Sequence, residues 1–455
     1  MRRFVRWDYD STEGKGLQTL ARHTNRIVLL LFTNRNGIIP TKEANVLEQT
    51  FLTKLIIEKV RHLHDISILL SETERKNLIL TGKNGCGKTS VLNELSTYIS
   101  KVVSGTMEHI DNYMEMAKNH KVQAEQTTDP DAKEWHMRQS NSCRGMALEL
   151  TNMKPLSCYG NWTDRKDVVQ KYKQGKFITA YYGDTRRIGL TPYNHIENVT
   201  LKKTYGIAER PSAELGKYLA NLKATQAFAN AKGDNARAEG IANWFTQFED
   251  ALKELYQDEQ LCLDFNIDTF QFTIHVNGRE PFDFNTMSMG YAAVFDIVAD
   301  LMMRMESQHS YDLEGIVLID EIETHLHVEL QKQVVPFLMR LFPNIQFILT
   351  THSPFILNSA PNSVIYDLEK HLRVPDGMEN LSYEGIVEGY FKVDRYSQKL
   401  LKYFEEYKQL VTSENLSDLD YARIAELEDY LDEVPDYLSL DFAHEYSRLK
   451  AEFDN

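Results

Sequence analysis

The chain has 455 residues, 42% of them hydrophobic, which is enough apolar material for a large core and two or three domains and excludes disorder as its overall state. Its 66 Asp and Glu against 51 Lys and Arg leave a net charge of −15, which argues against non-specific adhesion of the whole surface to nucleic acid or acidic membrane but allows a local basic groove. The apolar run Ile27–Phe32 is far shorter than the ~20 residues that cross a bilayer and precedes no signal-cleavage pattern; the four cysteines have no paired spacing, so a cytoplasmic chain without disulfides or a Cys-based zinc site is expected.

In chain order, residues 1–50 carry Arg2, Arg3, Arg6, the strand-like Ile27–Phe32 and the turn residues Asn36, Gly37 and Pro40, and form an N-terminal extension. Strand text begins with Leu55, Ile56 and Ile57, continues with Ile66, Ile68 and Leu69, and reaches Asn77 to Thr81 before a Gly-rich turn, so residues 51–100 are expected to open an α/β head. Residues 101–150 read as an inserted antiparallel helical pair, because Thr128-Asp129-Pro130 cannot continue a helix and suits a hairpin tip. The head resumes over 151–205 with the strand Phe177–Tyr182, and a second helical insert follows over 206–260. Over 261–370 lie the strands Leu261–Phe265 and Thr269–Val276 and the remaining head motifs. Residues 371–455 are helix-rich and acidic, with Ser417 and Asp420 at a helix start and Pro435 as an interruption; they suit either docking of a basic partner or a solvated cap.

The strongest chemical signal is Gly82-Lys83-Asn84-Gly85-Cys86-Gly87-Lys88-Thr89, a GxxxxGK[ST] run between the apolar Leu78–Leu80 and the one-sided helical stripe Val91, Leu92, Leu95, Tyr98 and Ile99. Glycines let the backbone curl so that its N–H groups, continuing through Ser90 at the helix start, face phosphate. Cys86 reads as a small residue inside the loop. Lys88 reaches the β and γ oxygens of ATP and Thr89 ligates Mg2+.

A second buried strand, Ile316–Ile319, ends in Asp320-Glu321 and sets two carboxylates at the edge where α/β sheets bind ligands. Asp320 is expected to hold Mg2+ through water, and Glu321 to orient or deprotonate the attacking water. The strand Ile345–Leu349 leads to Thr350-Thr351-His352-Ser353-Pro354, whose imidazole can sense the γ-phosphate. Glu323-Thr324-His325-Leu326-His327 offers two histidines two residues apart, which rarely chelate zinc without a third ligand. Arg186 and Arg187, after the strand Phe177–Tyr182, could meet phosphate or polynucleotide, but two adjacent loop arginines are more often solvated.

Asn285-Thr286-Met287-Ser288-Met289-Gly290-Tyr291, followed by helical text from Ala292 to Met305, completes a set. Phosphate loop, Ser-x-Gly signature, Asp-Glu strand and strand-end histidine stand in the order found in the ABC superfamily, which the chain resembles from about Leu52 to Leu368. The resemblance implies that Ser288 and Gly290 act in trans, capping the γ-phosphate held by a second copy, so that ATP joins two heads. The signature is degenerate: the family usually has leucine where Met287 stands and glycine where Met289 stands, and its Q-loop glutamine has no counterpart near Tyr181–Arg187.

The long spacing from Lys88 to Ser288 is similar to SMC, RecF and OLD relatives rather than to transporter subunits. Glu323–His327 resembles their Glu-x-His-Leu-His-Pro run, with Val328 for proline. Phe342–Phe347 and Tyr383–Phe391 look like a bacterial group of AAA-labelled ATPases, among them the ATPase subunits of Septu-type and retron-associated anti-phage systems. That resemblance implies an ATPase scaffold or sensor that dimerises head to head, assembles into larger oligomers and controls a separate effector nuclease, HNH type foremost, while the degenerate signature and missing glutamine point to slow, regulatory turnover. The alternative is a RecF- or Rad50-like repair ATPase that binds DNA directly. Asp418 and Asp420, the pair nearest to a Toprim motif, follow no strand, and no His-Asn-His cluster occurs in the last ninety or so residues, so no nuclease site is expected on this chain.

Overall fold

The computed structural model describes residues 49–151, 156–161, 165–186, 189–308, 310–378, 385–386, 398–413, 416–432 and 440–453. Ile27–Phe32, Arg187, most of Tyr383–Phe391 and Pro435 lie outside them. The described residues fall into two compact units, one ending at 378 and the other beginning at 385.

The first unit opens with β1 (Leu52–Val60), β2 (Leu63–Leu69) and β3 (Asn77–Thr81), then α1 (Lys88–Val103). The predicted stripe Val91, Leu92, Leu95, Tyr98 and Ile99 is the buried face of α1. A helical hairpin follows, α2 (Thr106–Gln126) and α3 (Pro130–Thr151). Pro130 is the first helical residue, where its missing N–H costs nothing, and Asp129 accepts from the amide of Asp131 at 3.2 Å. Next come β4 (Leu156–Gly160), α4 (Arg165–Lys173), β5 (Phe177–Tyr182), α5 (Leu215–Lys232), α6 (Asn235–Tyr256), β6 (Cys262–Phe265) and β7 (Phe272–His275). The signature helix α7 (Met289–Glu306), β8 (Glu314–Ile319), α8 (Val328–Leu341), β9 (Ile345–Thr350), α9 (Pro354–Ser359), β10 (Ser363–Asp367) and β11 (Leu372–Val374) complete the unit.

Six strands form the central sheet in the order β11-β10-β3-β9-β8-β5, parallel except for β11. A parallel sheet covered on both faces needs unbroken apolar strands, and β3, β9 and β10 are buried throughout. The order brings the C-terminal ends of β3, β9, β8 and β5 to one edge, which positions the site. A second, antiparallel sheet, β2-β1-β4, is tied to the first by Gln346 on β9: its amide accepts from Leu52 N–H at 2.7 Å and donates to the carbonyls of Leu52 at 3.0 Å and Lys76 at 2.7 Å.

The second helical insert packs as core. Phe248 of α6 lies 6.0 Å, centroid to centroid, from Phe295 of α7, and Phe295 stacks on Phe284 at 5.1 Å. Polar ties run to the same helix, from Tyr218 Oη to Glu306 at 2.7 Å and from Ser212 Oγ to Asp296 at 3.0 Å.

The second unit contains α10 (Gln398–Val411), α11 (Asp418–Asp432) and α12 (Leu440–Phe453), closed over Tyr407, Ile424, Leu427, Leu431 and Leu449. Ser417 and Asp420 bond reciprocally at the start of α11, and Asp418 is its first residue, so this acidic pair stands at a helix N-terminus. Among the described residues no helix is long and apolar enough to cross a membrane.

Candidate nucleotide site

The phosphate loop departs from the end of β3. Gly82, Gly85 and Gly87 have φ of 130°, 84° and 101°, a region closed to most side chains. A Cβ on Gly82 would stand 2.8 Å from Cys86 Sγ, and one on Gly87 2.9 Å from Leu63 Cδ1, so these two positions are also crowded, while Gly85 has open space beside it. Cys86 is buried inside it, while Lys83, Asn84 and Gly85 are exposed. Gly87 caps α1 with no side chain, which leaves the first-turn N–H groups of Lys88, Thr89 and Ser90 to a ligand. Lys88 is buried; its ammonium donates to the carbonyls of Gly82 at 2.9 Å and Lys83 at 3.2 Å and stands 3.3 Å from His352 Nδ1.

At the ends of β8 and β9 the acidic pair meets Thr350. The buried Thr350 hydroxyl donates to the Asp320 carboxylate and accepts from Glu321 N–H at 2.7 Å, joining both acids through one oxygen. Glu321 has φ 44°, and its Oε1 is 3.7 Å from His352 Nε2. The His352 amide donates to Glu323 Oε1 at 2.6 Å. His352 Nδ1 stands between the Lys88 ammonium at 3.3 Å and the Gly82 carbonyl at 3.2 Å, and Nε2 faces Glu321. Lys88, His352 and Glu321 thus form a chain along one sheet edge.

Ser288 is the N-cap residue of α7, exposed, and its hydroxyl makes no capping bond. Gly290 is buried; a Cβ there would stand 2.9 Å from the His325 carbonyl, so its glycine is required by contacts within the chain. His325 and His327 lie on the β8–α8 connection, and among the described residues no three His, Cys, Asp or Glu side chains gather as metal ligands.

The solvated reading of Arg186 is corrected: the side chain is buried and its guanidinium bonds the carbonyls of Asp320, Glu321 and Ile322. The alternation of the loop sequence gave no sign of this. Thr350 carries no sequence signal of its bridging role beyond its place beside an acidic strand end, where a hydroxyl is a ready bridge.

A triphosphate with its cation fits these groups. The loop is curled at three glycines, the helix N-terminus above it is uncapped, and the exposed Thr89 hydroxyl with the Asp320 carboxylate offers the hard oxygen donors that suit Mg2+.

Parallel sheet, phosphate loop, acidic strand end and following histidine together define an α/β P-loop head with helical insertions and a helical C-terminal region, similar in the order of its motifs to ABC/SMC-type ATPases. The family model described as "AAA domain, putative AbiEii toxin, Type IV TA system" matches residues 199–358. More particularly, the chain is similar to a retron probable ATPase and to a Septu protein. It is 33% identical over 147 residues to the Retron Ec83 probable ATPase of Escherichia coli, covering 30% of this chain and 27% of that one. It is 24% identical over 334 residues to the Septu protein PtuA of Bacillus mycoides (strain KBAB4), covering 71% of this chain and 42% of that one. The match thus spans well under half the length of these curated relatives. An SMC head solved bound to the C-winged helix domain of ScpA aligns over 70% of this chain and 94% of that one, with a TM-score of 0.35 and 12% identity.

Proposed function

We propose that this chain is an ATPase subunit of a bacterial anti-phage defence complex. It binds Mg-ATP at the phosphate loop, pairs head to head with a second copy around the nucleotide, hydrolyses it slowly and thereby controls a separate effector nuclease. Thr89 and Asp320 would hold Mg2+, which when bound would supply neutralisation of the triphosphate's charge. The chain's own groups do the rest: Gly82 to Ser90 cradle the phosphates, Lys88 faces the γ oxygens, His352 passes its position to Glu321, and Glu321 orients and deprotonates water.

The observation that carries this reading is the convergence of Lys88, His352 and Glu321 on one edge, with contacts of 3.3 and 3.7 Å, while the signature Ser288 faces outward with its hydroxyl uncommitted to its own helix. A serine placed so is available to a partner's phosphate. The names of the similar proteins support the defence context, and the family resemblance implies an HNH-type protein as the effector.

Two variants that each fail alone test the trans arrangement. Lys88→Ala removes phosphate binding and Ser288→Arg blocks the signature, so each homodimer is inactive. Mixed, they form one intact site from the Lys88 of one copy and the Ser288 of the other, and turnover returns. A mixture as inactive as its components, with no Mg-ATP-dependent dimer of Glu321→Gln in analytical ultracentrifugation, overturns the proposal. Salt-dependent DNA binding by the isolated protein would instead favour direct action on DNA.

A further inference from the structure

Arg186 spends its guanidinium wholly on backbone. It is 3% exposed. Nη1 donates to the carbonyls of Gly183 at 3.0 Å and Asp320 at 2.6 Å, and Nη2 to those of Glu321 at 2.8 Å and Ile322 at 3.2 Å. Each terminal nitrogen has two hydrogens, so both are fully used.

Three of the four acceptors are consecutive, and the middle one belongs to Glu321. That residue has φ 44°, in the left-handed region that a glutamate adopts only under constraint. Three successive carbonyls turned toward one side would repel one another without a cation between them. Burial lowers the proton affinity of the guanidinium, and the neighbouring carboxylates of Glu323, Asp320, Asp296 and Asp184 counter this in part. A residue that merely filled space here would be apolar, since burying a charge is costly. The fork instead matches the conformation of one backbone turn, the one that aims Glu321.

We propose that Arg186 is a positioning residue for hydrolysis: from the loop after β5 it locks the left-handed backbone of Glu321, and so links that loop to the state of the site. This rests on the reading of Glu321 as the group that activates water. The loop's departure would free three carbonyls at once and let Glu321 relax. The nucleotide cradle, built on β3 and α1, would remain.

The test uses full-length protein and four variants: Arg186→Met, Arg186→Lys, Glu321→Gln and the double Arg186→Met/Glu321→Gln. Turnover of Mg-ATP and equilibrium binding of a fluorescent ATP analogue are measured on each. Arg186→Met should lower kcat about 100-fold, as displacement of a reacting group by about 1 Å does, with affinity held within about threefold. Arg186→Lys should fall between, because a point charge cannot hold a planar fork. The double variant should be no slower than Glu321→Gln alone.

An unchanged kcat in Arg186→Met overturns the inference. So does a loss of affinity matching the loss of kcat, or an equal slowing by Arg186→Met with and without Glu321. Should circular dichroism show Arg186→Met unfolded, Arg186→Lys is judged by the same criteria, alone and in the Glu321→Gln background. A native protein whose turnover does not depend on Glu321 overturns the reading of the site itself, an outcome distinct from these.

Discussion

Replacing Gly290 by alanine separates two reasons for a glycine in the signature. A Cβ there would lie 2.9 Å from the His325 carbonyl oxygen. An ordinary C···O contact begins near 3.3 Å, so the first turn of α7 or the β8–α8 connection must retreat by about 0.4 Å (3.3 less 2.9). The connection has little slack, because His325 already sits at φ 69° and Leu326 is held on both sides, its N–H on the Glu323 carbonyl at 2.9 Å and its own carbonyl on Gln331 at 2.8 Å. Overpacking of this kind costs about 1–3 kcal/mol. At roughly 2–4 °C per kcal/mol, the head should melt several degrees lower. Ser288→Ala should change stability by less than about 0.5 kcal/mol, since the hydroxyl caps nothing, where a capping serine would cost about 1 kcal/mol. Thermal unfolding of the full chain without nucleotide, followed by near-UV circular dichroism, measures both. Gly290→Ala melting with the native protein, or Ser288→Ala melting as low as a lost cap requires, would refute the reasoning. If it stands, inactivity of Gly290→Ala says little about a partner's site, and Ser288 is the cleaner probe.

Thr350→Val keeps shape but removes the bridge between Asp320 and Glu321, leaving a buried amide and carboxylate short of partners at about 1–3 kcal/mol each. Turnover should fall at least about tenfold and the melting temperature with it, Thr350→Ser restoring both; a fully active valine variant would count against the bridge. Asp296 is 5% exposed, and burial, reinforced by neighbouring Asp300, raises its carboxyl from 3.8 to about 6. A carboxyl bound more tightly to its proton in the folded state lends stability that is complete below pH 3.8 and lost as pH rises through about 6, an effect of at most about 3 kcal/mol. Asp296→Asn, which can still accept from Ser212, should therefore gain on the native protein in denaturant midpoint between pH 5 and pH 7.5. A difference that does not vary with pH would refute this.

What could be read beforehand was whatever local chemistry repeats faithfully. Gly-rich turns, buried strands and the α1 stripe carry their geometry in a few neighbouring residues, so Gly82–Thr89, Ile316–Glu321 and the break at Pro130 were legible. β10 was not: Val364-Ile365-Tyr366 is too short an apolar run to register, and it becomes a strand by pairing with β3. The second insert read as helical, but nothing in its periodicity told that Phe248 would stack into the core beside α7. Arg186 was misread for the same reason. Its environment is made by carbonyls 134 to 136 residues away, and carbonyls leave no mark on a sequence.

Gln346 bears on how the first unit can move. One amide grips both polar groups of Leu52 and a carbonyl on Lys76, so parting the two sheets must break both Leu52 contacts. Such a clasp behaves as a latch, and the β2-β1-β4 sheet should travel with β9 as a single rigid plate. Glutamate could not take its place, because an anion would confront two carbonyl oxygens with no hydrogen to offer.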